Sequence, residues 1–170
     1  MRPLLYVDGY NVIGAWSEAQ RQGWPIDECR DRLARLLEDY AGYTDQEVWL
    51  VFDGHRAERP VRSVERHGAV TLVFTRHGET ADQYIERVCG ALPRYREARV
   101  ATSDRVEQTL ILSRGATRLS ARELLVELHA ERTRGLASHR APLTPEGSAM
   151  RAALSEEQHA RLERLRRQKV

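Results

Sequence analysis

Cysteine is scarce in this sequence, and lysine is almost absent. Cys29 and Cys89 form no C-x-x-C pair, and the six histidines show no H-E-x-x-H or H-x-x-x-H spacing. These absences argue against a zinc site and a disulfide framework and predict two buried thiols. Lys169 is the only lysine among 27 basic residues. An arginine bias suits phosphate binding, but it follows equally from genomic base composition.

Long apolar runs are absent as well. The mean hydropathy is -0.58 and 41% of the residues are hydrophobic, as in soluble globular proteins. No run approaches the roughly 20 residues that span a bilayer. The N-terminus shows no signal-peptide pattern, so we expect a cytoplasmic protein whose first residues begin the fold. A chain of 170 residues suits one domain with a terminal extension.

Short apolar runs alternate with stretches of helical period. The runs are near-continuous, as in strands buried on both faces, and lie at 4–7, 48–52, 70–74 and 98–101. Helical periodicity covers 26–40 and 80–92. Strands that alternate with helices indicate right-handed crossovers and a parallel sheet. The sequence therefore predicts a three-layer α/β domain with a central, mostly parallel sheet flanked by helices.

The C-terminal part is predicted from caps and breakers. A short helix is expected over 104–113 and a brief strand over 116–119, and Ser120 with Glu123 forms a capping box that opens a helix to about Arg132. The Gly-, Pro- and Ser-containing stretch 135–154 reads as a connector, and "RLERLRRQK" as a basic C-terminal helix. We expect a catalytic domain over 1–134 and a connector with a basic helical tail over 135–170.

Four aspartates follow the predicted strands: Asp8, Asp53, Asp82 and Asp104. Because the carboxyl ends of parallel strands open on one edge of a sheet, these acids are expected to converge there. Two like charges about 4 Å apart repel by roughly 4 kcal/mol at an effective dielectric near 20, so a bound cation is the simplest resolution. Oxygen ligands select hard ions, Mg²⁺ or Mn²⁺. Phosphodiester hydrolysis by a metal-activated water suits such a site.

Other polar residues beside the acids are candidates for supporting roles. Asn11 can orient Asp8 or hold a phosphate, and Thr102 and Ser103 offer hydroxyls near Asp104. Glu79 is either a further acid near the substrate or simply begins the helix that carries Asp82. For any one aspartate, the alternative is an ordinary helix cap or turn residue.

A polar stretch over 54–68 is interpreted as a loop between two buried strands. Basic side chains in it and after the next strand are predicted to bind RNA phosphates, namely His55, Arg56, Arg62, Arg76 and His77. The alternative is a solvated surface loop.

Several segments resemble one known family, in order and without large gaps. They are "YVDGYNVI", "VFDGH", "VFTRHGETADQYIE", "VATSDRVEQ" and "GATRLSARELLVEL". They are similar to the YacP-like branch of the NYN domains, relatives of the PIN-domain nucleases. The resemblance implies a PIN-like fold, metal-binding acids and an endoribonuclease activity, directed in some members at messenger RNA on the ribosome. It matches Asp8 and Asn11 to the first-strand D-x-x-N, and Asp53, Asp82 and Asp104 to the other acids.

Two other functions compete with a metal-dependent endoribonuclease. One is a catalytically silent module of the same fold that binds RNA or the ribosome. The other is a phosphatase with an aspartyl nucleophile, which usually needs a second Asp two residues after the first; Tyr10 stands there. The target RNA sequence and the oligomeric state stay open.

Overall fold

The computed structural model describes residues 2–54, 62–93, 95–102 and 116–140, with the backbone alone for 136–140. Three predicted elements lie outside these residues: the helix over 104–113, the connector after residue 140 and the C-terminal helix. Contacts divide the chain into two compact units, Met1–Gly135 and Leu136–Val170. The described strands and helices belong to the first unit, apart from the end of the final helix.

Six strands and five helices make up the described part of the chain. The strands are β1 Leu4–Asp8, β2 Glu47–Phe52, β3 Ser63–His67, β4 Val70–Phe74, β5 Ala98–Ala101 and β6 Thr117–Leu119. The helices are α1 Gly9–Ala15, α2 Ser17–Gln22, α3 Ile26–Thr44, α4 Ala81–Gly90 and α5 Ala121–Arg140. The strand order is β3-β4-β2-β1-β5-β6. All pairings are parallel except that of β3 with β4.

Helices cover both faces of this sheet, which confirms the predicted architecture. Leu5 and Val7 of β1 belong to one core cluster, which includes leucines of α3 and α5. Leu4 and Tyr6 belong to a second cluster, which includes residues of α4. Alternate residues of one strand thus reach opposite cores, and a strand with two buried faces needs a continuous apolar run. No helix in the described ranges is long and apolar enough to cross a membrane.

Strand β3 corrects the interpretation of 54–68 as a loop. Ser63–His67 pairs antiparallel with β4 through a tight turn in which Gly68 has a φ of +56°. Val64 through His67 are all exposed, and β3 is the edge strand of the sheet. A strand without a buried face carries no hydrophobic alternation, so periodicity cannot reveal it.

The N-terminal turns and the last helix also differ from the predictions. Periodicity did not indicate α1 and α2, which are only 7 and 6 residues long. The capping box at the start of α5 is present: the Ser120 hydroxyl accepts from the Glu123 N–H, and the Glu123 carboxylate accepts from the Ser120 N–H. The helix then runs to Arg140, beyond the expected end near Arg132. Both cysteines are buried free thiols, as predicted.

Candidate active site

Three of the four predicted aspartates lie around one cavity at the carboxyl edge of the sheet. Asp8 ends β1, Asp53 directly follows β2, and Asp82 is the second residue of α4. Because β1 pairs with β2 so that Asp8 lies beside Val51, the two exits open at nearly the same level. The cavity has a volume of about 870 Å³, and Asn11 also lines it. Asp104 lies outside the described residues.

Asp8 is buried at the point where β1 becomes α1. Its Oδ1 accepts a hydrogen bond of 3.0 Å from the Asn11 N–H and caps the helix. Burial raises the pKa of Asp8 to about 7; backbone N–H groups of Asn11 and Tyr10 oppose this rise, and the Asp82 carboxylate adds to it. The backbone of Asn11, rather than its side chain, therefore orients Asp8. A buried carboxyl group that faces a second carboxylate is the arrangement expected where a cation binds.

Asp82 completes the pair from the first turn of α4. Thr80 caps this helix with a full capping box to Gln83, so the helix begins at the cavity wall. The Oδ1 atom of Asp82 is buried and has no hydrogen-bond partner among the described residues. A buried carboxylate oxygen without a donor is costly, so it marks a place where a ligand can supply the missing interaction.

The donor set fits a hard divalent cation. Asp8, Asp53 and Asp82 offer only oxygen atoms to the cavity, and the orphaned oxygen of Asp82 is available for coordination. Within the part of the chain that the structure describes, no group of three acidic, histidine or cysteine side chains is placed to hold a metal ion by itself. Mg²⁺ does not need such a group, because it commonly uses one or two carboxylates and keeps several waters. Asp8 and Asp82 would contribute such carboxylates, and Asp53 lies beside them in the cavity.

Arginines from the far side of the sheet form another wall of this cavity. The cavity is also lined by Arg118 of β6, by Ser120, which caps α5, and by Arg122 of α5. These residues lie on the β6 side of the strands that carry Asp8 and Asp53. The Nε atom of Arg118 is buried without an acceptor in the described residues. None of these three residues was predicted as a site candidate. The signal was the "TRLSAR" segment, in which basic residues flank a helix start after a strand.

Glu79 is not one of the residues that line the cavity. It is buried and pairs with Arg62 at 2.6 Å, Arg87 at 2.9 Å and Arg76 at 3.9 Å. The buried hydroxyl of Thr75 donates to the Glu79 carbonyl and accepts from the Gly54 N–H. This network joins the exits of β2 and β4 to the start of α4. Glu79 therefore lies outside the cavity, between the chain segments that carry Asp53 and Asp82.

A Glu79→Gln variant is expected to lose stability in a pH-dependent way. Burial opposes ionisation, but hydrogen bonds from Arg62 and Arg87 outweigh it and hold the pKa of Glu79 below its usual range. A lowered pKa stabilises the fold above the unfolded-state pKa, and this contribution disappears as pH falls through the folded-state pKa. We expect a loss of about 1–2 kcal/mol at pH 7, since the arginines stay partly solvated.

Urea unfolding at about pH 7 and pH 3.5 measures this difference. Glu86→Gln, in the helix α4 that follows Glu79, is the control. An equal loss at both pH values would mean that the Glu79 charge is not responsible.

The remaining predicted residues are spread around the site. Thr102 directly follows β5, is buried, and its N–H donates to the Leu119 carbonyl, which ties β5 to β6. Arg76 and His77 follow β4 and are exposed, on the side of the acids away from Arg118. Arg62 is engaged with Glu79 and lies over the Tyr84 ring at 5.2 Å. His55, Arg56 and Ser103 lie outside the described residues.

Comparison with known proteins assigns this arrangement to a family. The family model of the YacP-like NYN domain matches residues 5–167. The chain belongs to this family. The uncharacterized protein YacP of Bacillus subtilis (strain 168) is 39% identical over 166 residues, which is 96% of each chain.

Solved structures of a YacP-like NYN protein share the fold. The crystal structure of Rae1 (YacP) from Bacillus subtilis is 38% identical, covers 98% of this chain and 95% of its own, and gives a TM-score of 0.68. A structure of a point mutant of that protein is 39% identical, covers 77% of each chain, and gives a TM-score of 0.64. The sequence resemblance to this family is thus confirmed.

Proposed function

We propose that the chain is a metal-dependent endoribonuclease that hydrolyses RNA phosphodiester bonds and acts on messenger RNA at the ribosome in the cytoplasm. The observation that carries this proposal is the pairing of the buried Asp8 with the half-buried Asp82, with Asp53 beside them, in one cavity of a YacP-like NYN domain. Asp104 is proposed as the fourth acid. The catalytic domain would comprise residues 1–134, followed by a basic tail over 135–170.

Each group of the cavity has a task in this chemistry. A bound Mg²⁺ or Mn²⁺ would supply charge stabilisation and a more acidic water, held by Asp8, Asp82, Asp53 and Asp104. The Asn11 backbone fixes the orientation of the Asp8 carboxylate, while its side chain lines the cavity within reach of a phosphate. Thr102, Ser103 and Glu79 would keep the acids in place.

Basic groups around the cavity would draw the RNA across the acids. Arg76 and His77 are proposed to contact phosphates on the β4 side, and His55 and Arg56 are proposed to contact phosphates as well. Such contacts position a strand without reading its sequence. Arg62 contributes less directly, because it is already paired with Glu79.

The alternative is a catalytically silent module of the same fold that binds RNA or the ribosome. The orphaned Asp82 oxygen favours the enzyme, because a module without turnover gains nothing from a buried, unsatisfied carboxylate.

End-labelled RNA separates the two functions. The wild type and an Asp8→Asn/Asp82→Asn variant are incubated with it, with and without Mn²⁺ and with and without translating ribosomes. Cleavage by the wild type alone, dependent on the metal, is the expected result. Binding by both proteins with cleavage by neither would favour the silent module.

A further inference from the structure

A second cavity opens beside the acid cavity and shares part of its wall. It has a volume of about 570 Å³ and is lined by residues of α1, α2 and α5. Gly14, Ala15 and Arg122 line both cavities. The acids therefore lie at one end of a longer depression, whose second half we call the α2–α5 groove.

The α2–α5 groove presents cationic and hydrogen-bonding groups from two helices. Arg122, Val126 and His129 line it at spacings of four and three residues, so they share one face of α5. Arg21 faces them from α2, and Glu18 is the acid among the described lining residues. The groove continues the basic character of the Arg118 and Arg122 wall away from the acidic pair.

Each cavity is also lined by a residue with a buried donor that has no acceptor in the described residues. Arg118, whose Nε atom has no acceptor within the described ranges, lines the acid cavity, and Trp16, whose Nε1 atom has none, lines the α2–α5 groove. Buried polar groups in folded proteins are normally satisfied, so hydrogen-bond acceptors are in short supply along both walls among the described residues.

We propose that the α2–α5 groove holds the single-stranded RNA that flanks the scissile phosphate on one side. This inference rests on the proposed nuclease function and names the path of its substrate. In the strand order, β6 and β4 lie on opposite sides of β1 and β2, so the groove and the Arg76–His77 side are separated by the acids. RNA that arrives over β4 crosses the acids and leaves along α5. Phosphate oxygens then pair with the arginine side chains that line this path.

Gly14 provides a clean test because it lies at the junction of the two cavities. It is exposed, and a Cβ atom added there has no neighbour within 4 Å. A side chain at this helical position therefore fits the fold and also removes a poor helix former. Gly14→Glu places a negative charge in the RNA path, and Gly14→Gln adds nearly the same bulk without the charge.

The experiment measures RNA binding by fluorescence anisotropy across a range of salt concentrations. The probe is a labelled single-stranded RNA of 12 nucleotides, and every protein also carries Asp8→Asn/Asp82→Asn to prevent cleavage. We expect Gly14→Glu and Arg122→Glu to weaken binding about tenfold and to lower the salt slope by about 0.7 for each phosphate that the variant no longer binds. Gly14→Gln should have a smaller effect. Arg2→Glu is the control. Arg2 pairs with Asp45 and precedes β1, at the opposite end of the strand from Asp8, so this variant should bind as the parent does.

If Gly14→Glu and Arg122→Glu both bind the RNA as tightly as the parent, the proposed RNA path is wrong. It is also wrong if Arg2→Glu weakens RNA binding as much as they do. The same variants in the active background separate this failure from that of the proposed function. Cleavage by the wild type together with unchanged binding by the groove variants refutes only the groove. Weakened binding in the groove variants without any cleavage by the wild type supports the groove and refutes the nuclease.

Discussion

Asp8→Asn is expected to abolish RNA cleavage and at the same time stabilise the metal-free protein at pH 8. The loss of cleavage should exceed about 100-fold, because even groups that only support metal ligands typically contribute about 10–100-fold. Asn retains an oxygen that can cap α1 and accept from the Asn11 N–H, so the local backbone is preserved.

The gain in stability results from the raised pKa of Asp8. Between the unfolded-state value of 3.8 and the folded-state value of about 7, the folded protein holds a proton that the unfolded chain releases. The contribution of the Asp8 proton to the stability is therefore complete below pH 3.8 and is lost as pH rises to about 7. Asn does not titrate, so the variant does not lose this stability as pH rises. The free energy of unfolding of the variant, minus that of the wild type, should be about 2–4 kcal/mol larger at pH 8 than at pH 4.

Thermal and urea unfolding at pH 4 and pH 8 measure this difference. Asp39→Asn, the same change at an exposed position of α3, is the control. Mn²⁺ should raise the melting temperature of the wild type at pH 8 and leave that of the Asp8→Asn/Asp82→Asn variant unchanged. A variant that gains nothing between the two pH values would show that Asp8 ionises freely in the fold.

Phe52→Ala is expected to cause the largest loss of stability, about 3–5 kcal/mol. The Phe52 ring is fully buried, with its centroid 4.9 Å from that of Tyr10 and 5.5 Å from that of Phe74. A Cβ atom at Gly9 would lie 2.2 Å from Phe52 Cε1, so this ring fills the space directly beneath the turn after Asp8. Its removal leaves a cavity under the exits of both β1 and β2.

Cleavage should fall with stability in this variant, because Asp8 and Asp53 flank the emptied space. Phe52→Leu retains most of the volume and should cost about 1–2 kcal/mol. Val64→Ala on β3, where the side chain is 55% exposed, should change stability by less than about 0.5 kcal/mol. Urea unfolding measures all three variants, and a Phe52→Ala protein as stable as the Val64→Ala protein would contradict the role of the ring.

The predictable part of the fold is the part with two buried faces. The apolar runs at β1, β2, β4 and β5 are nearly continuous, since helices cover both sides of these strands. Parallel topology then places the strand exits on one edge, which is why Asp8 and Asp53 could be placed together. Asp82 could be added because the helix after β4 must begin at that edge.

The unpredictable part depends on neighbours that are distant in sequence. Arg118 and Arg122 reach the cavity because β6 pairs with β5. Local periodicity does not reveal the order of the strands. Glu79 was predicted as a further acid or as the start of the helix that carries Asp82, and its partner Arg62 lies 17 residues earlier in the chain, so local sequence could not reveal their ion pair. Strand β3 has no buried face at all, so its composition resembles that of a loop.

The polar character of β3 has a further consequence for the behaviour of the protein in solution. This edge strand exposes Glu65 and Arg66, so a strand from another molecule could extend the sheet there only by crowding charged side chains. Natural sheets use charged edges to prevent such self-association. The charged side chains of β3 thus oppose the addition of a strand from another molecule at this edge of the sheet.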